Sequence, residues 1–241
     1  METAQDRVIE KPRAEPRTIH ARKDVVDSYP DNTGLFITFE GPEGAGKSTQ
    51  ISRLSERMRH EGYDVLTTKE PGGTEFADAA RSILLAGTGR PDVRAELLLV
   101  LAARADHVVK VIEPALASGR VVICDRFMDS TFAYQGAGGR IESGTIEVMN
   151  DFATAGRVPH LTFLMSLPPE EGLARICHAG RDRFESEDLE FHRRVMSCFL
   201  ARAEQEPERI QVIDGSLEPD MITTQLYARL KASFPEFAGA E

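Results

Sequence analysis

From residue 34 onward, short apolar runs alternate with stretches whose apolar positions recur at helical spacing. Residues 35–39 (LFITF) form a run rich in β-formers, the pattern of a buried strand. Within 47–61, Ile51, Leu54 and Met58 fall at helical intervals, which predicts an amphipathic helix. The alternation repeats with a strand at 64–68 and a helix at 74–85. A long helix then opens at Asp92, an N-cap residue just after Pro91, and runs toward Gly119 with a kink near Pro114. Further strands are predicted at 120–124 (RVVIC), 161–167 and 210–213, separated by helical stretches near 143–155, 169–178, 187–205 and 217–232. Strand alternating with helix predicts an α/β fold, a mostly parallel five-stranded sheet with helices on both faces. No internal repeat or low-complexity tract interrupts it.

Residues 1–33 break the pattern. They mix both charge signs with three prolines and show no sustained periodicity, so a disordered N-terminal extension is expected. The segment has no apolar core of a secretory signal, and its Asp and Glu content argues against an organelle transit peptide. A docking tail is the alternative, with nothing in the residues to support it. The folded domain is expected at 34–241.

Composition narrows the function classes. The 241 residues are 41% hydrophobic and 28% charged, which is ordinary globular usage. With 29 basic against 39 acidic residues the net charge is −10, which argues against non-specific binding to nucleic acid or to anionic membranes. An anionic ligand must therefore be held by a local cluster of Arg and Lys. The longest apolar run, 97–103 between Glu96 and Arg104, is far short of the roughly 18–20 residues of a membrane span. Cys124, Cys177 and Cys198 form no CxxC pair and cannot all pair, so neither a disulfide framework nor a zinc site is indicated, and a reducing, cytoplasmic setting is expected.

The chemistry is concentrated at 41–48, which reads GPEGAGKS and satisfies GxxxxGK[ST] between a predicted strand and a predicted helix. Gly41, Pro42, Glu43, Gly44, Ala45 and Gly46 form the loop expected to bind ATP, its glycines letting the backbone wind tightly so that several N–H groups point inward at phosphate oxygens. The helix N-terminus adds its partial positive charge. Lys47 supplies a full charge to the β- and γ-phosphates, the Ser48 hydroxyl can ligate Mg²⁺, and Thr49 completes the ATP-binding stretch. A Gly-rich turn before a helix is the plainer alternative. The pair Asp125–Arg126 follows the strand VVIC directly. A carboxylate at that strand end can reach the Mg²⁺ shell, and an arginine beside it can bind phosphate bidentately; a surface ion pair is the other reading.

These residues are similar to those of the bacterial thymidylate kinases, a family of P-loop nucleoside monophosphate kinases. The resemblance covers nearly all of 35–230 through the blocks FITFEGPEGAGKSTQ, TKEPGGTEFADAARSIL, AARADHVVKVIEPAL, VVICDRFMDSTFAYQG, DRFESEDLEFHRRV and VIDGS, in that order. It implies transfer of the ATP γ-phosphoryl group to dTMP, giving dTDP for dTTP synthesis, with Mg²⁺ held at Ser48 and Asp125, in a homodimer. It implies that Glu70 and Arg81 line the dTMP site, that Arg104 contacts the thymine side, and that Arg126 holds the dTMP phosphate. Thr131 and Gln135 occupy the base-contacting positions of DSTxAYQG; being i and i+4, they would face one pocket on a helix. The phosphate loop has no basic residue before Lys47, which resembles the subgroup that supplies its arginine from a lid after the fourth strand. Arg175, Arg181 and Arg183 are the candidates, and a solvated basic helix end is the alternative for each. Lys47 and Arg126, with Arg175 and Arg181, are then the catalytic cations. Three positions depart from the family: Lys69 replaces an Arg, Phe127 a Tyr, and Val100 the Phe that stacks on thymine. The lid also looks one residue short, with His178 in its middle.

The acceptor in such a reaction is already a phosphate, whose second pKa near 6 leaves it mostly dianionic at pH 7, so no general base is needed. His20, His60, His107, His160, His178 and His192 show no ligand spacing and are expected to be surface or packing residues. Two other readings stay open: a kinase for another nucleoside monophosphate, and a nucleotide-binding regulator that has lost catalysis. Retention of Lys47, Ser48, Asp125 and Arg126 together argues against the second.

Overall fold

The computed structural model describes residues 34–86, 91–176 and 182–235. The extension expected at 1–33 lies outside them, as do Cys177, His178 and Arg181. Strands β1 (Leu35–Glu40), β2 (Val65–Lys69), β3 (Val121–Asp125), β4 (Leu161–Ser166) and β5 (Ile210–Asp214) form one parallel sheet in the order β2-β3-β1-β4-β5. The predicted five-stranded α/β architecture is the observed one.

Side-chain alternation explains how both faces are covered. Leu35, Ile37 and Phe39 of β1, with Val121 and Ile123 of β3, join the core under helices α1 (Lys47–His60) and α9 (Pro219–Ser233). Phe36, Val122 and Cys124 point the other way, against Val108, Ile112, Leu116 and Phe127. Every residue of β1 is buried, as its unbroken apolar run predicts for a central parallel strand. Because the sheet order reverses beside β1, its carboxyl end opens on a crevice between diverging connections, where such sheets bind ligands.

The boundaries of β2 and β3 are shifted by one residue from those expected. Both strands extend to a charged residue, because Lys69 and Asp125 are in register with each other and Asp125 with Phe39. Apolar patterning cannot see a charged residue that the ladder holds. The long helix is also divided differently. Helix α2 (Glu75–Leu85) precedes α3 (Val93–His107), which passes into a π-helical turn at Val108–Ile112 and then α4 (Glu113–Ala117). The irregularity thus lies before Pro114 and not at it. Proline has no N–H for the Lys110 carbonyl and crowds it; the wider turn upstream, closed by Glu113 N–H on the Val108 carbonyl, takes up the mismatch.

Between β3 and β4 stand α5 (Met128–Thr131), a π-helical stretch at Phe132–Gly138, and α6 (Ser143–Thr154). Helices α7 (Pro169–Arg175) and α8 (Leu189–Gln205) follow β4. Among the described residues no helix is long and apolar enough to cross a membrane.

Candidate active site

The loop between β1 and α1 turns through three glycines with φ of 131° (Gly41), 71° (Gly44) and 86° (Gly46), a region costly for other residues. A side chain at Gly44 would meet the Gly172 carbonyl at 2.1 Å, and one at Gly172 would meet the Glu43 carbonyl at 2.2 Å. The loop is therefore seated backbone to backbone on α7, the helix that ends in Arg175. Lys47 Nζ donates to the carbonyls of Gly41 (3.1 Å) and Pro42 (2.9 Å), and burial pulls its pKa down. Ser48 Oγ donates to Asp125 Oδ2 at 3.3 Å, while Asp125 Oδ1 is buried without a partner among the described residues.

These groups surround a cleft that Glu43, Gly44, Ala45, Gly46, Lys47, Ser48 and Thr49 line from one side. Asp125, Arg126, Arg81 and Arg175 line it from the other. Gly41 and Pro42 instead turn their carbonyls to Lys47. Arg175 Nη1 donates to the Gly215 carbonyl at 3.1 Å, which steadies it at the cleft.

Arg126 has φ of 70°, unusual for a side chain of its size and a conformation that functional sites tend to store. It is held from several directions. Its Nη1 donates to the Gly41 carbonyl (3.0 Å), its Nη2 to Glu43 Oε1 (2.8 Å), and its guanidinium lies 4.9 Å over the Tyr134 ring. Burial opposes ionisation of Glu43, but the charges of Arg126 and Lys47 overrule it and hold the carboxyl at about 2. Tyr134 Oη donates to the same Glu43 oxygen at 2.8 Å.

A second cavity adjoins the first. Both are lined by Glu43, Glu70, Arg81, Arg126 and Asp182. Val100, Arg104, Thr131 and Gln135 line the second cavity, so the sequence-predicted base-contacting residues come together there. Arg104 is 2% exposed and donates to Glu70 Oε2 (2.7 Å), Thr131 Oγ1 (2.7 Å), Asn150 Oδ1 (2.5 Å) and the Phe127 carbonyl (2.9 Å). The other Glu70 oxygen faces His107 Nδ1 at 2.9 Å, and His107 Nε2 faces Thr68 Oγ1 at 2.8 Å. His107 is therefore no ordinary packing residue; fully buried, it props the carboxylate that orients Arg104.

Phe127 stands edge-on to Phe36, with ring centroids 5.0 Å apart, and carries Arg104 at 5.1 Å over its face. Phe132 belongs to the cluster of Leu97, Leu101 and Ile146. Phe184, from the segment after α7, lines the cavity and sits 5.6 Å from Tyr134 in a T-shaped pair. Arg183, read as a cation for the phosphates, instead donates to the Leu84 carbonyl (3.2 Å) and Glu96 Oε2 (2.5 Å) and lines neither cavity. Arg181 lies outside the described residues.

Sequence reasoning missed Glu40, Glu96, Tyr134, Asp182 and Phe184. Glu40 has a visible signal, an acid closing an apolar strand. Wholly buried, it accepts from the N–H groups of Phe127 (2.8 Å) and Ser130 (3.2 Å) and from Ser130 Oγ (2.5 Å). Burial, with the Asp129 charge adding, pushes its pKa up to about 7. It fixes the turn that carries Arg126.

The family model described as thymidylate kinase matches residues 39–226. A thymidylate kinase of Synechococcus is 50% identical over 201 residues, covering 83% of this chain and 96% of that protein. One of Caulobacter vibrioides is 48% identical over 195 residues, covering 80% and 94%. The crystal structure of thymidylate kinase from Ehrlichia chaffeensis superposes with a TM-score of 0.69 at 34% identity, covering 82% of this chain and 98% of that one.

Proposed function

The chain belongs to the thymidylate kinase family, and on that premise we propose that it transfers the γ-phosphoryl group of ATP to dTMP, giving dTDP, in the double cleft. The observation that carries the reading is the wall the two cavities share. Arg126 and Arg81 face both, so a phosphate attached to a base-bound nucleotide would meet the terminal phosphate of a nucleotide seated on the glycine loop. Residues 34–241 are read as this kinase domain.

Catalysis then rests on position and charge. Lys47, Arg126 and Arg175, with Arg181, neutralise the transferring group; Arg104, Thr131, Gln135 and Val100 receive the base. Ser48 and Asp125 would hold Mg²⁺. The donor set fits: a hydroxyl and a carboxylate oxygen left without a partner suit an ion that otherwise takes phosphates and waters. Mg²⁺, when bound, supplies neutralisation of the terminal phosphate oxygens. The acceptor dianion needs no base, and an ATP-dependent step of nucleotide synthesis belongs in the cytoplasm.

A homodimer is supported by exposed apolar side chains on three neighbouring helices. Phe76 and Ile83 of α2, Leu98 of α3, and Val148 and Phe152 of α6 stand out in solvent, Phe152 at 88% exposure. Sedimentation should return the mass of two chains, and Phe152→Glu should shift it toward one.

Phosphorus NMR of dTMP with Mg·ATP tests the reaction directly. The proposal expects ADP and a new diphosphate doublet pair from dTDP in equal amounts, abolished by EDTA. ADP without dTDP, or no change, contradicts it.

A further inference from the structure

Glu96 stands in the first turn of α3, is 5% exposed, and lines neither cavity. Its two oxygens are divided between two donors. Oε1 accepts from the Gln135 side-chain amide at 2.7 Å, and Oε2 from Arg183 Nη2 at 2.5 Å. Arg183 also donates Nε–H to the Leu84 carbonyl, so it ties the end of α2 to the start of α3.

We propose that Glu96 is a positioning residue for base recognition: it holds the Gln135 amide as a hydrogen-bond acceptor toward the nucleobase, and Arg183 fixes Glu96 in that task. The inference deepens the reading above and rests on it.

The argument runs through donor and acceptor identity. Paired with a guanidinium, Glu96 is a carboxylate and can only accept. The Gln135 amide must therefore turn Nε2 to Glu96, which leaves Oε1 on the other arm, toward the cavity that Gln135 lines. A thymine or uracil ring offers N3–H, a donor, to that oxygen. A cytosine ring offers a bare N3, an acceptor, so two acceptors would face each other. A buried polar group left unpaired is what gives hydrogen-bonding sites their power to reject an analogue. The amide torsion is broad and roughly two-fold; without a carboxylate behind it, Gln135 can turn over and present N–H to either base. Arg183 contributes by occupying the second oxygen, which fixes the carboxylate plane.

The test uses Glu96→Gln, an isosteric change that gives one oxygen and one amino group to two donors. A second variant, Arg183→Met, alters a residue that lines neither cavity. Steady-state kinetics with dTMP, and inhibition by dCMP, are measured on the full chain beside melting curves. In Glu96→Gln the KM for dTMP should rise about tenfold, with kcat changed less than about threefold, and the ratio of the dCMP inhibition constant to the dTMP KM should fall at least tenfold. Arg183→Met keeps the carboxylate behind Gln135 but frees its plane, so the KM and the ratio should move in the same directions by about threefold. An unchanged ratio in either folded variant overturns the proposal, even if kcat and KM both drift, because a merely structural contact would weaken both ligands alike. If Glu96→Gln does not fold, Arg183→Met decides alone. A wild-type chain that leaves dTMP untouched overturns the substrate reading, and this inference with it, before any variant is made.

Discussion

Arg104 and Glu70 form a buried ion pair, Nε to Oε2 at 2.7 Å, with side chains only 2% and 3% exposed. The second Glu70 oxygen is taken by His107, so one oxygen orients Arg104 while the other is steadied by the imidazole. Removing one member of such a pair leaves a charge in low dielectric, typically at a cost of about 3–5 kcal/mol. Glu70→Ala should therefore lower the melting temperature by roughly 6–20 °C, at about 2–4 °C per kcal/mol for a domain of this size, and raise the KM for dTMP. Calorimetry checks the first effect; an unchanged melting temperature would show that leaving Arg104 without its carboxylate carries no such cost.

Lys47 and Arg175 are expected to act on the transition state. Lys47→Ala should cut kcat about a hundred- to a thousandfold, the usual cost of losing one preorganised donor, about 3–4 kcal/mol, with melting preserved. Arg175→Ala should lower kcat and kcat/KM together, whereas a rise in the ATP KM alone would make it a ground-state contact.

Glu43 gives a pH dependence with a definite sign. Its ordinary value is 4.5 and the folded one about 2, because Arg126 and Lys47 outweigh burial. The stabilisation is complete above 4.5 and is lost as pH falls toward 2; over the full window it is on the order of 3 kcal/mol. Between pH 5 and 3 the wild type should lose melting temperature more steeply than Glu43→Gln. Parallel curves would contradict the assignment. Glu40, raised to about 7, acts in the other direction and in another window, its contribution being lost as pH rises from 4.5 to 7.

Val100 and Phe184 both line the cavity proposed to receive the base. Base–aromatic stacking is worth about 1–3 kcal/mol, so Val100→Phe should lower the dTMP KM by about tenfold. A higher KM with a lower melting temperature would mean that Phe184 already fills the position and the new ring overpacks it.

Much of this architecture was legible in the chain. The strand–loop–helix around GPEGAGKS, the parallel sheet and the clustering of Arg104, Thr131 and Gln135 all follow from spacing and family likeness. What escaped was set by tertiary contact. The charged ends of β2 and β3 are held by the ladder, and the π-helical turn answers a proline two residues further on. Glu96 and His107 look like surface residues in a helix with mixed apolar faces; only the fold buries them against Gln135 and Glu70. Arg183 reads as a cation for phosphate until its carboxylate partner is seen.

The central claim is that Arg104, Thr131 and Gln135 choose the acceptor nucleotide and Arg126 delivers its phosphate to ATP. A coupled ADP-release assay with Mg·ATP against dTMP, dUMP, UMP, CMP, AMP and GMP tests this most directly. The account predicts turnover with dTMP far ahead of every other acceptor; AMP or CMP leading, or tight ATP binding with no turnover on any of them, would contradict it.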